Sequence, residues 1–220
     1  SAASIPRQTP AFFSSLLTPD AQLQYTPSPR MGAQQIEHLR GSTMSQGDAA
    51  TIESLTGIIR SIPDFPKPGI LFRDITPLLA NGSAFKSAVD AMAATYHNID
   101  HVVSIESRGF IFGSPIAYAL GAGLVPVRKV GRLPGNTLQE EYELEYGVST
   151  VEIHSDAIKA GQRVIIVDDL LATGGTIRAA VNLVERLDAE LVGISVLIEL
   201  KDLKGREKLA GQDVRSLIVY

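Results

Sequence analysis

The sequence predicts an α/β fold with a mainly parallel central sheet flanked by helices. Three observations carry this. Apolar, β-branched runs at 101–105, 124–130, 163–167, 191–200 and 214–220 alternate with segments whose apolar residues recur every three or four positions. Three of the turns that carry candidate chemistry follow the ends of such runs, where ligands bind in parallel sheets. The chain of 220 residues, 45% of them hydrophobic, suits one domain with a sizeable core and an appendage.

The appendage comes first. Five of the twelve prolines (Pro6, Pro10, Pro19, Pro27, Pro29) lie before Arg30, among Ser, Thr, Gln and Ala, with no sustained apolar period. Residues 1–47 are expected to be mostly disordered. Poor in acids and carrying Arg7 and Arg30, they faintly resemble an organelle transit peptide. An upstream extension and a cloning remnant stay open as alternatives, and the expected compartment is the cytoplasm.

A globular domain is expected from residue 48 to residue 220. Ile52, Leu55, Ile58 and Ile59 mark a helix that ends before Pro63; Pro63, Pro66, Pro68 and Gly69 then force an extended, turning segment. Phe85, Ala88, Val89, Met92 and Tyr96 mark a second helix. His101–Ile105 reads as a strand, 110–120 as a helix and 124–130 as a strand. Residues 131–146 read as a polar, Glu-rich loop with some strand character near its end, followed by a short strand at 151–154. The strand at 163–167 leads to a helix marked by Ile177, Ala180, Val181, Val184 and Leu187. A strand at 191–200, a helix at 201–209 and a strand at 214–220 complete the chain.

Several function classes drop out. There is no cysteine, so thiolate chemistry and disulfides are excluded. The net charge of −4 argues against a broad nucleic-acid surface, and no apolar run approaches the roughly 20 residues of a membrane span. His38, His97, His101 and His154 form no ligand-spaced cluster.

The most informative stretch is 164–176. A buried strand is followed by two carboxylates, Asp168 and Asp169, and then by Ala172-Thr173-Gly174-Gly175-Thr176 opening a helix. Such a turn can aim N–H groups, hydroxyls and a helix N-terminus at a phosphate. The carboxylates are placed for sugar hydroxyls or a hydrated metal ion, which together outlines a phosphorylated-ribose site. Neither a Walker loop nor a dinucleotide fingerprint is present. Glu106-Ser107-Arg108-Gly109, at another strand end, could hold an anion or be a plain turn. Arg128, Lys129 and Arg132, on spacing alone, read as solvated charge.

Val-Asp-Asp-Leu-Leu-Ala-Thr-Gly-Gly-Thr resembles the donor signature of the type I phosphoribosyltransferases. Ile62–Ile70, Phe72–Leu78, Ser107–Phe110, Leu144–Gly147 and Leu203–Leu209 are similar to the adenine-specific members of that group. The resemblance covers about residues 50–220. It implies the type I phosphoribosyltransferase fold with a small hood or lid, and transfer from phosphoribosyl pyrophosphate to adenine, giving AMP and pyrophosphate.

The resemblance also assigns roles. Ala172, Thr173, Gly174, Gly175 and Thr176 would take the 5′-phosphate; Asp168 and Asp169 would take the ribose and magnesium, directly or through water. Ser107, Arg108, Lys129 and Arg132 would bind pyrophosphate, with a cis peptide before Ser107. Members of the group can carry Asp in place of Glu106, which leaves that side chain's part open. Leu71, Phe72, Arg73 and Leu170 would bind the base, Phe72 by stacking. Glu145 would be catalytic within the lid, with Tyr146 beside it. A homodimer is implied. A phosphoribosyltransferase for another purine, and a regulator that keeps the ribose-phosphate site as a sensor, stand as alternatives.

Overall fold

A computed structural model describes residues 46–143 and 147–220. The segment 1–45 and residues 144–146, with the expectations placed on them, lie outside the described residues.

Helix α1 (Gln46–Ile58) buries Leu55, and the residue after its end, Ile59, is buried beside it. Strand β1 (Arg60–Ile62) pairs antiparallel with β2 (Phe72–Asp74), Arg60 opposite Asp74. The proline-rich segment joins them, with a cis Phe65–Pro66 bond and the Asp64 carboxylate accepting from the Gly69 N–H at 2.7 Å. The Asp74 carboxylate accepts from the Thr76 N–H at 2.9 Å and starts a short helix, α2 (Thr76–Ala80), not anticipated from the apolar period. Asn81 caps α3 (Gly82–Ala93) by accepting from the Ala84 N–H at 3.1 Å.

The main sheet begins with β3 (His101–Ile105), followed by α4 (Gly109–Leu120) and β4 (Gly123–Lys129). An antiparallel pair comes next, β5 (Thr137–Glu143) and β6 (Val148–His154). Then follow β7 (Arg163–Leu171), α5 (Gly175–Arg186), β8 (Glu190–Glu199) and β9 (Val214–Val219). The seven strands lie in the order β5-β6-β4-β3-β7-β8-β9, parallel from β4 through β9. The α/β expectation holds.

Alternation along the central strands divides the core. Val102, Ile165 and Val167 pack with α3 and α4 through Met92, Phe112 and Ile116. Val103 and Ile166 face the other way, against Ile177, Ala180 and Val184 of α5. The chain leaves β3 for β4 on one side and later enters β7 on β3's other side. The ends of β3 and β7 are therefore adjacent at the point where strand order reverses.

Three expectations need correction. Residues 131–146 carry a full seven-residue strand, because Leu138 and Tyr142 alternate with outward polar residues and pack on the core. Asp168 and Asp169 lie inside β7, since pairing with the long β8 continues through Leu171 opposite Glu199. Residues 201–209 form two 3-10 turns, broken at Lys204 in the left-handed region (φ 54°).

Candidate active site

The turns after β3 and β7 enclose a cavity of about 320 Å³. Ser107, Arg108, Asp168, Asp169, Leu170 and the Ala172–Thr176 turn all line it. Thus the separate sequence segments 106–108 and 168–176 converge at one place. The Glu106–Ser107 peptide is cis, as the resemblance implied.

The phosphate-type turn owes its shape to tight packing. Gly174 is left-handed (φ 78°), and a methyl group there would collide with the backbone carbonyl of Gly205. A methyl group on Gly205 would strike the Ala172 carbonyl in turn. Gly174, at the N-cap of α5, supplies no capping side chain, so the first-turn N–H groups remain for a ligand.

The acid pair is poorly neutralised. Asp169 is 4% exposed, and its Oδ2 meets the Arg108 Nε at 3.0 Å. Burial pushes its carboxyl up, with Arg108 opposing. Asp168 accepts from the Asp169 N–H at 2.9 Å; burial, then the Asp169 charge, hold its carboxyl well above the usual range. A methyl group at Gly109 would sit 2.8 Å from Asp168 Oδ1, so this turn must be bare for the acid to lie where it does. Two hard, under-neutralised carboxylates suit magnesium. Among the described residues no group of three or more His, Cys, Asp or Glu could hold a metal, so water and substrate oxygens would complete its shell.

Arg108 also stands 5.9 Å from the centroid of the Phe72 ring and lines a second, largely apolar cavity of about 440 Å³. Phe72, Phe65, Ile62 and Ile111 line that cavity too. One guanidinium therefore stands between the acid pair and the aromatic surface. Leu71 is exposed and, like Arg73, lines neither cavity; the Arg73 guanidinium lies 3.7 Å over the Tyr220 ring and donates to Ser61 Oγ at 2.6 Å. That leaves the Arg73 backbone, rather than its head group, to serve a base.

Lys129 and Arg132 are exposed and do not line the first cavity. Arg128 is engaged elsewhere, donating to both Glu106 oxygens at 3.0 and 3.2 Å, and this pairing holds the Glu106 carboxyl below its usual range against burial. Glu106 is a brace between β3 and β4. Glu145 and Tyr146 lie outside the described residues.

Two site features escaped the sequence reading. Tyr142 of β5 lines the first cavity, and its ring would touch a methyl group on Gly175 at 3.4 Å. Its only sequence signal is its place in the Leu138-Glu140-Tyr142 alternation. Glu152, 2% exposed, accepts from the N–H groups of Arg132 and Leu133, each at 2.9 Å. Burial would raise its carboxyl, but those donors and Thr137 outweigh it and hold it below the usual range.

Residues 78–217 match the model of the phosphoribosyl transferase domain. The chain belongs to the phosphoribosyltransferase family. It is 58% identical over 169 residues to the adenine phosphoribosyltransferase of Clostridium perfringens, covering 76% of this chain and 98% of that relative. The crystal structure of adenine phosphoribosyltransferase from Thermoanaerobacter pseudethanolicus aligns with a TM-score of 0.74 at 53% identity, covering 77% of this chain and 99% of that one. The Saccharomyces cerevisiae enzyme, solved with adenine and an imino-altritol bisphosphate, aligns at a TM-score of 0.73 and 44% identity, covering 77% and 99% of the two chains.

Proposed function

We propose that this phosphoribosyltransferase acts in purine salvage, moving the 5-phosphoribosyl group from phosphoribosyl pyrophosphate to adenine and forming AMP and pyrophosphate. The observation that carries this is the convergence of the Ala172–Thr176 turn, the Asp168–Asp169 pair and Arg108 on one cavity. The adenine specificity is drawn from the relatives and from the similarity of 62–78 to adenine-specific members.

The 5′-phosphate rests on the first turn of α5. Asp168 and Asp169 orient the ribose hydroxyls and would hold magnesium, directly or through water; such an ion would supply positive charge beside the departing pyrophosphate. Ser107, Arg108, Lys129 and Arg132 receive that pyrophosphate. A pyrophosphate that drew Arg108 away from Asp169 would also free the acid as the donor enters. The base stacks on Phe72, with Leu170 opposite and the backbones of Leu71 and Arg73 reading its edge. Its ring nitrogen forms the bond to the anomeric carbon as the carbon–oxygen bond breaks and pyrophosphate leaves with the electron pair. Glu145 takes the base proton, and closure of the lid with Tyr146 excludes water.

We place the protein in the cytoplasm as a homodimer. No helix among the described residues is long and apolar enough to cross a membrane. Tyr118, 91% exposed, and Leu124 offer apolar surface to a second copy.

Purified protein with adenine, donor and magnesium is expected to form AMP. Turnover of hypoxanthine or guanine without turnover of adenine would overturn the specificity. Glu145→Gln is expected to lower kcat about 100-fold with donor binding retained; unchanged kcat would remove Glu145 from the reaction.

A further inference from the structure

Strand β5 leads directly into residues 144–146, and its inward face carries Leu138, Glu140 and Tyr142. An acid between two partly buried apolar residues is unusual, and this one is fully engaged. Asn182 Nδ2 donates to Glu140 Oε1 at 2.7 Å, and Arg186 Nη1 stands 3.2 Å from Glu140 Oε2. Arg186 also donates to the Gln139 carbonyl at 2.7 Å. Both partners lie on α5, whose first turn forms the phosphate cradle. At the other end of the same contact, a methyl group on Gly175 would lie 3.0 Å from the Glu143 carbonyl. The strand is thus pinned to the helix at two points, one polar and one by close packing.

We propose that Glu140 is a positioning residue: by clasping Asn182 and Arg186 it fixes the register of the lid strand along α5, so that the phosphate cradle and the base of the lid move as one piece. A slip by one residue would turn Glu140 outward and carry Tyr142 off the cavity. A slip by two would break the clasp and carry Tyr142 about 7 Å along the cavity wall. The clasp makes the donor's phosphate and the lid share a rigid element. This rests on the reading of Glu145 as catalytic within a lid.

The test uses the full chain with Glu140→Ala and Glu140→Gln. The glutamine oxygen can still accept from Asn182, and the Arg186–Gln139 bond survives. In the alanine variant kcat is expected to fall about tenfold or more while the donor dissociation constant, measured with phosphoribosyl pyrophosphate and magnesium, stays within about twofold. Glutamine should restore most of the rate. Independently of turnover, donor binding to the unmodified chain should slow hydrogen exchange at the amides of 139–143, and this protection should vanish in the alanine variant. An unmodified chain that forms no AMP yet gives this exchange pattern would refute the function and uphold the clasp. Unchanged kcat, equal loss of donor binding, no rescue by glutamine, or protection that persists in the alanine variant would each overturn the clasp.

Discussion

In β6, Glu152 is 2% exposed and accepts from Arg132, Leu133 and Thr137; in β7, Asp169 is 4% exposed and meets one guanidinium, with Asp168 next to it. Both strands bury carboxylates to nearly the same extent, yet the first acid is held below the usual range and the other two above it. Burial acts the same way on all three. The difference is the supply of donors, which is complete in the antiparallel flap and deficient at the end of the parallel core. A buried acid with all its donors is a structural fastening. One left short of them is a receptor for charge still to arrive.

That contrast breaks most visibly where the deficit is removed. Replacing both acids (Asp168→Asn, Asp169→Asn) is expected to cut turnover about 100-fold or more, while the melting temperature holds or rises because two adjacent, poorly neutralised charges are gone. Steady-state rates beside thermal melts check this, and a marked fall in melting temperature would make the pair structural after all. Glu152→Ala should do the reverse. It leaves the Arg132 and Leu133 N–H groups without their acceptor and is expected to cost about 1–2 kcal/mol in urea denaturation, with kcat at saturation nearly kept.

Asp74 sharpens the comparison with a smaller, pH-dependent effect. The Thr76 N–H, Arg60 and the Thr76 hydroxyl bring its carboxyl to about 2. A folded value below the unfolded one means stabilisation that is present above about pH 4 and lost as pH falls towards 2. Melting curves across that window should show a steeper decline for the unmodified chain than for Asp74→Asn; parallel curves would contradict the assignment.

The fold was legible where local pattern and tertiary pairing agree. The apolar runs at His101–Ile105 and Arg163–Val167 place the two central strands, and the acid pair with its glycine turn marks one wall of the cavity. What stayed hidden depends on distant partners. Asp168 belongs to the strand because β8 continues beside it, and nothing within 164–171 reveals that length. Lys201–Leu209 has a helical composition but breaks at Lys204, where the chain turns to seat Gly205 against the phosphate turn. β5 hides because Gln139, Glu141 and Glu143 fill its outward positions and Glu140 one of its inward ones. Tyr142 and the Arg108–Asp169 contact exist only once separate elements meet.

Gly174 and Gly205 touch back to back, thirty-one positions apart in sequence. The cradle therefore has a floor supplied by a stretch of chain that is not among the cavity's lining residues. Genetic variation should register this. A substitution at Gly205 would be scored as remote from the cavity, yet its first atom beyond the backbone would act as a wedge under the Ala172–Thr176 turn. Such an allele is expected to behave as a loss of donor affinity, and no enlargement at position 174 could compensate, because a side chain there would itself strike the Gly205 carbonyl.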